Sequence, residues 1–299
     1  TITTSPKEVD GVVTRAWQKV FKGNVANAAQ TVADFFTKYS TFIFRADTFV
    51  IGPITGELVY ERFTGVAKSA GGMDGWEPGE LALFSPLLCA RVAGLYNLIE
   101  DGCPWPDSCL HARVAYLEKE GAPPGEVMSY RPLTITSPVY RCWASLRLRS
   151  LERWIALWAL PSMFAGVAQQ GATDAWYQVL SDIELWNLED VQFCGGTADI
   201  HKFFDQILRP MVYKLAEYAG MPPHILSAYS RFLQGLKVYN SLAGGVGHAY
   251  SRECGIPQGC SFPMMMVALI MRPWLKMMGM VGVTPRVLAD DVLIMTEGA

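Results

Sequence analysis

The side chains best suited to chemistry fall in three short segments of the C-terminal third. Asp290 and Asp291 are adjacent in Arg286-Val287-Leu288-Ala289-Asp290-Asp291-Val292-Leu293-Ile294-Met295, with apolar residues on both sides. Two neighbouring carboxylates in such surroundings repel each other and resist desolvation. A divalent cation relieves both costs. Asp199, in Ala198-Asp199-Ile200-His201-Lys202-Phe203-Phe204-Asp205-Gln206-Ile207, supplies a third carboxylate, and Gly255-Ile256-Pro257-Gln258-Gly259 lies between the two acidic segments. Mg²⁺ takes one or two protein carboxylates and fills its shell from phosphate and water. Two such ions about 3.5–4 Å apart activate an attacking hydroxyl and stabilise a leaving pyrophosphate. Together the segments point to a nucleotidyl transferase that holds Mg²⁺.

The elements that must position these acids follow from periodicity and punctuation. Strict strand alternation aims Asp290 and Asp291 at opposite faces, so a tight turn between them is expected within a 286–295 hairpin. Without that context, an Asp-Asp pair reads as an ordinary acidic turn. A strand over 191–199 delivers Asp199 at its end, and a helix over 201–219 follows, for which Asp199 also reads as an N-cap. Upstream, 1–45 reads as helical and 46–66 as irregular, with Gly52-Pro53 and Gly56 as turn signals. Gly71 to Trp76 forms a loop into a helix over 78–101. Strands over 112–117 and 130–135 pair across a Gly/Pro-rich connector, 121–125. Ser137-Pro138 starts a helix expected to run to Leu160, with Pro161 as its stop. Further helices are expected over 173–187, 224–236 and 262–279, and a hairpin over 237–254.

Composition bounds the partners. The 299 residues are 51% hydrophobic, enough for a large core in one large or two ordinary domains. A net charge of −3 gives no global basic signature, so any nucleic acid must be held by a local basic track. Arg141, Arg149 and Arg153 recur at multiples of four along the 138–160 helix, a stripe that could follow template phosphates. The same stripe reads equally well as a solvated helix face. The seven scattered cysteines fit a reduced, intracellular protein better than a disulfide-stapled secreted one. The apolar run Met264 to Met271 is too short to span a bilayer before Arg272 and Pro273. Cys103, Cys109 and His111 match no zinc-ligand spacing.

In this order and spacing, Asp199 with Phe203-Phe204-Asp205, Gly255 to Gly259, and Ala289-Asp290-Asp291 resemble the motifs of reverse transcriptases. The set looks most like those of non-LTR retrotransposons and, more distantly, group II introns. Tyr130-Arg131-Pro132-Leu133 with Val139-Tyr140-Arg141 resembles the fingers motif, and Tyr116-Leu117-Glu118-Lys119 the strand before it. Phe164-Ala165-Gly166 with Thr173-Asp174-Ala175 resembles the next block, and Gly72 to Trp76 the opening one. The resemblance covers about 70–297.

It implies an α+β polymerase right hand: a helical extension over 1–68, fingers over 69–190, and an incomplete palm over 191–299 whose antiparallel sheet packs on helices. It implies two Mg²⁺ ions, or Mn²⁺, held chiefly by Asp199 and Asp290, with Asp291 and the Ile200 position in support. Phe204 would lie under the sugar of the incoming nucleotide, where a flat ring clashes with a 2′-hydroxyl; Phe203 and Phe204 also read as core positions of an amphipathic helix. Gln258 and Gly259 would line the nucleotide pocket, Gly259 permitting close backbone approach. Arg131 and Lys119 would hold the triphosphate, although Glu118 and Glu120 also make Lys119 readable as a solvated surface lysine. The implied partners are an RNA template, a DNA primer and dNTPs.

The chain departs from that pattern at Leu288, where an aromatic is usual, at Pro263-Met264, where Ser-Pro is usual, and at Glu118, where a proline is usual. It stops at Ala299, so a fragment lacking the thumb is expected. A degenerate, non-catalytic binding domain is the rival of a different class. An RNA-dependent RNA polymerase shares the paired aspartates but favours an acid at the Phe204 position and Gly at the Ala289 position.

Overall fold

The computed structural model describes residues 4–23, 25–65, 69–121, 123, 125–242 and 244–298. The first two helices, α1 (Pro6–Phe21) and α2 (Ala28–Lys38), occupy most of the stretch expected to be helical. The next, α3 (Gly56–Thr64), corrects the reading of 46–66 as irregular. The Thr55 hydroxyl caps it by accepting from the Leu58 amide, so Gly56 opens a helix instead of marking a turn. The expected 78–101 helix is two pieces, α4 (Pro78–Leu81) and α5 (Pro86–Glu100), because Pro86 has no N–H to continue the first.

Strands β1 (His111–Glu118) and β2 (Tyr130–Ile135) pair antiparallel as expected, with Leu117 opposite Arg131. Two positions of the connector between them, 122 and 124, lie outside the described residues. The helix expected over 138–160 is also two, α6 (Pro138–Ser150) and α7 (Glu152–Trp158). The Leu151 amide is shared between the Arg147 carbonyl at 2.9 Å and the Leu148 carbonyl at 3.1 Å, which tightens the last turn of α6. Arg141 and Arg149 are on α6, and Arg153 is on α7.

Next come α8 (Ala172–Leu188) and β3 (Phe193–Asp199). The 201–219 helix divides into α9 (Phe203–Gln206) and α10 (Arg209–Tyr218), since Pro210 cannot donate to the Gln206 carbonyl. The chain continues through α11 (Pro223–Gly235), β4 (Lys237–Leu242), the two-residue β5 (Gly245–Val246), α12 (Phe262–Gly279), β6 (Thr284–Leu288) and β7 (Asp291–Glu297).

The described residues form a mixed α+β fold with two sheets. One is four-stranded in the order β2-β1-β4-β5, with β1 and β4 parallel; the other is three-stranded and antiparallel, β3-β7-β6. Because β4 lies beside β1, the 69–190 and 191–299 segments share a sheet. A buried aromatic cluster that includes Trp105, Tyr140, Trp143 and Phe232 belongs to the same core as Ala112, Val114 and Val238 of the larger sheet. Arg147 ties the early segment to it, pairing with buried Glu100 at 2.5 Å and donating to the Gly52 carbonyl at 2.9 Å. The seven cysteines are all described, and none is joined in a disulfide. Among the described residues no helix is long and apolar enough to cross a membrane.

Candidate active site

The three acids come from the small sheet, and register brings them together. Asp199 is the last residue of β3 and stands opposite Asp291, the first of β7. Directly opposed residues of an antiparallel pair have Cβ atoms about 4.5–5.5 Å apart. The hairpin turns through Ala289-Asp290, with Leu288 paired to Asp291. The expected turn is present, but it lies one residue earlier than between the two aspartates. Ala289 has φ +60°, the left-handed conformation that two-residue hairpins require, and this breaks the strand alternation. The Ile200 amide donates to the Asp290 carbonyl at 3.2 Å, fixing the segment after β3 to the turn.

A cavity of about 590 Å³ opens in front of these acids. Its lining includes Asp199, Asp290 and Asp291 on one side, Lys119 and Arg131 from the end of the β1–β2 pair on another, and Phe204, Gln258 and Gly259. Eight residues singled out from sequence thus surround one space. The Thr134 amide of β2 donates to the Gln258 carbonyl at 2.9 Å, so the Pro-Gln-Gly loop runs against the strand that carries Arg131. Gly259 has φ +132°, and a Cβ there would stand 2.2 Å from the Thr134 carbonyl oxygen. Glycine is required at that spot by both conformation and space.

Phe204 is buried and faces the cavity, while Phe203 is half-buried and also lines it. The Ile256 amide donates to the Phe204 carbonyl at 2.7 Å. Arg141 lies outside this cavity, donating to the Ser69 hydroxyl at 2.7 Å and the Ala70 carbonyl at 2.5 Å. Arg149 is exposed and borders a separate groove with Arg62, and Arg153 is exposed on α7. Asp199 and Asp291 also border a second, more apolar cavity of about 430 Å³, walled by Phe164, Trp176 and Val179.

Sequence reasoning passed over three further cavity residues, His201, Lys202 and Asp205. Their signal was position: each sits within one helical turn or two of Asp199 in the same quoted segment. Burial pushes the Asp205 carboxyl up to about 6, against the opposing pull of Arg252 and Lys202. Burial also lowers the Lys202 ammonium below its ordinary value, helped by Lys119 and Arg131 nearby.

No protein-family model matches the chain. A curated protein does. The chain is 24% identical over 195 residues to the RNA-directed DNA polymerase from mobile element jockey of Drosophila melanogaster. The match takes in 64% of this chain and 21% of that protein, so the chain spans about a fifth of the length of the relative it matches. This distant likeness supports a reverse-transcriptase-like domain.

The donor set suits a hard cation. Burial raises the Asp290 carboxyl above the usual carboxylate range; its own amide pulls it back, Asp291 and Asp199 push it higher, and Arg131 opposes them. Like charges crowded in this way are relieved by a divalent ion with oxygen ligands. As the side chains stand, no group of three or more His, Cys, Asp and Glu among the described residues is gathered tightly enough to ligate one ion unaided. One or two carboxylates with phosphate oxygens and water suffice for Mg²⁺.

Proposed function

We propose that the chain is the fingers, 69–190, and part of the palm, 191–299, of an RNA-directed DNA polymerase of the non-LTR retrotransposon kind. The observation that carries the reading is the meeting of Asp199, Asp290 and Asp291 at one cavity with Lys119, Arg131, Phe204, Gln258 and Gly259. A decayed binding domain would have no need to keep all three acids opposite two cations.

Asp199 and Asp290 would hold Mg²⁺, with Asp291 and the Ile200 position beside them; bound there, it would supply Lewis-acid activation of the primer hydroxyl and offset charge on the leaving pyrophosphate. Arg131 and Lys119 bind the triphosphate and neutralise the charge that builds on it. Gln258 and Gly259 wall the base and sugar, with Gly259 letting the backbone come close. The Phe204 ring occupies the space a 2′-hydroxyl would need, which favours dNTP over rNTP. The second cavity meets the first at Asp199 and Asp291, which suits it to the primer end whose 3′-hydroxyl attacks the α-phosphate. Arg141, Arg149 and Arg153 are assigned to the template strand.

The test is extension of a DNA primer on an RNA template with Mg²⁺, using the longest native polypeptide that carries this chain. Wild type should extend, and Asp290→Asn should lose about 10²–10³-fold or more. Equal background from both would remove the catalytic reading.

A further inference from the structure

Behind the nucleotide cavity, two cations rest on aromatic rings of α1. Lys202 lines the cavity and donates through Nζ to the Met128 carbonyl at 2.7 Å and the Tyr130 carbonyl at 3.3 Å. Its ammonium lies 4.5 Å from the centre of the Trp17 ring. Tyr130 is the residue before Arg131 in β2. Arg252 is buried, donates to the Thr134 hydroxyl at 3.1 Å, stands 4.0 Å from Asp205, and lies 4.2 Å from the centre of the Phe21 ring. Thr134 in turn donates its amide to the Gln258 carbonyl.

Trp17 and Phe21 are four residues apart on α1, fully buried, and stacked with centroids 5.6 Å apart. The opposite end of the same helix is pinned as well. Buried Asp10 accepts from Asn240 Nδ2 at 2.8 Å and from the His248 amide at 3.1 Å. The helix presents one π-face to half-buried Lys202 and one to buried Arg252, and each cation grips a carbonyl or hydroxyl of β2 or the segment leading into it. Lys202 also holds a left-handed backbone at φ +49°, a conformation that persists in a non-glycine residue only where its surroundings impose it.

We propose that α1 is a working wall of the nucleotide cavity: Trp17 seats Lys202 so that it holds the strand bearing Arg131, and Phe21 seats Arg252 so that Thr134 fixes the Gln258 loop. Trp17, Phe21, Lys202 and Arg252 are positioning residues, acting on the nucleotide through Arg131 and Gln258. The inference rests on the nucleotide-binding reading given above.

The experiment compares wild type, Trp17→Leu, Trp17→Phe and Phe21→Leu in the longest native polypeptide that carries this chain, with Asp290→Asn as the blank. Leucine keeps an apolar side chain but removes the π-face, so Trp17→Leu and Phe21→Leu should each raise KM for dNTP by about fivefold to tenfold with kcat within about twofold. Trp17→Phe keeps a π-face and should recover most of the loss. In parallel, acetylation of Lys202 by limiting acetic anhydride is followed by peptide mass spectrometry, and it should speed up several-fold in Trp17→Leu only. A role confined to stability would lower the melting temperature and the active fraction while leaving KM unmoved, and that pattern overturns the proposal. Unchanged Lys202 reactivity in Trp17→Leu overturns it too, whatever the activity. If wild type extends no better than the blank, the polymerase reading fails instead, and Lys202 reactivity still decides separately whether the clamp exists.

Discussion

Replacing Gly259 by alanine tests the placement of the Pro-Gln-Gly loop against β2. A Cβ at 259 would come within 2.2 Å of the Thr134 carbonyl oxygen and 3.2 Å of its carbon, both backbone atoms of a paired strand. An ordinary contact needs about 3.4 Å, so loop and strand must part by about 1.2 Å, and neither partner is a flexible side-chain end. Alanine at φ +132° adds conformational strain of about 1–3 kcal/mol, and the overlap about 1–3 kcal/mol more. Gly282→Ala supplies the control, because that residue has φ +77° with nothing within 4 Å of its would-be Cβ. It should cost only the conformational part. Urea unfolding of the three proteins separates the two contributions. Because β2 carries Arg131, displacement by about 1 Å should also cut kcat/KM for dNTP by about 10²-fold, a drop Gly282→Ala should lack. Equal unfolding midpoints for the two variants, or wild-type kcat/KM in Gly259→Ala, would refute the contact.

Other expectations concern sugar choice, pH and the core. Phe204→Val should raise ribonucleotide incorporation in an active polypeptide, measured as the ratio of kcat/KM values for dNTP and rNTP; no change removes the gate. The folded Asp205 carboxyl titrates near 6, above its ordinary 3.8, so the folded state binds the extra proton. Its stabilisation is therefore complete below about pH 4 and lost as pH rises through 6, by about 3 kcal/mol at 1.4 kcal/mol per unit. Asp205→Asn should flatten that slope in urea melts at pH 4.5 and 7. Arg147→Met leaves the Glu100 carboxylate buried with its ion pair broken and should cost about 3–5 kcal/mol. Arg147→Met combined with Glu100→Leu should cost less than Arg147→Met alone in the same denaturation assay.

The acids, the β1–β2 pair and the Pro-Gln-Gly loop were legible in sequence because each is local: alternating apolar residues, a Gly/Pro break, a distinctive residue triplet. The helix breaks at Pro86 and Pro210 were also written in the chain, since proline lacks the donor a continuing helix needs. The break at Leu151 was not, because no proline or glycine marks it, and Leu151, Trp154 and Trp158 are all buried in the packed core. Lys202 and Arg252 escaped notice for a similar reason. Nothing within a few positions of either residue distinguishes a solvated cation from one lodged on a ring contributed from far upstream in the chain. The parallel pairing of β1 with β4 likewise joins segments well separated along the chain, and periodicity carries no trace of it.

The opposition of residues 199 and 291 makes chain length, and not only residue type, a determinant of the cavity. A strand reverses the direction of its side chains at every step, so adding or deleting one residue within β3 or β7 would rotate one carboxyl to the far side of the sheet while leaving every amino acid of the motif intact. The stretch from Phe193 to Asp199 and the hairpin from Thr284 to Glu297 should therefore accept exchanges of one apolar residue for another yet reject single-codon insertions and deletions.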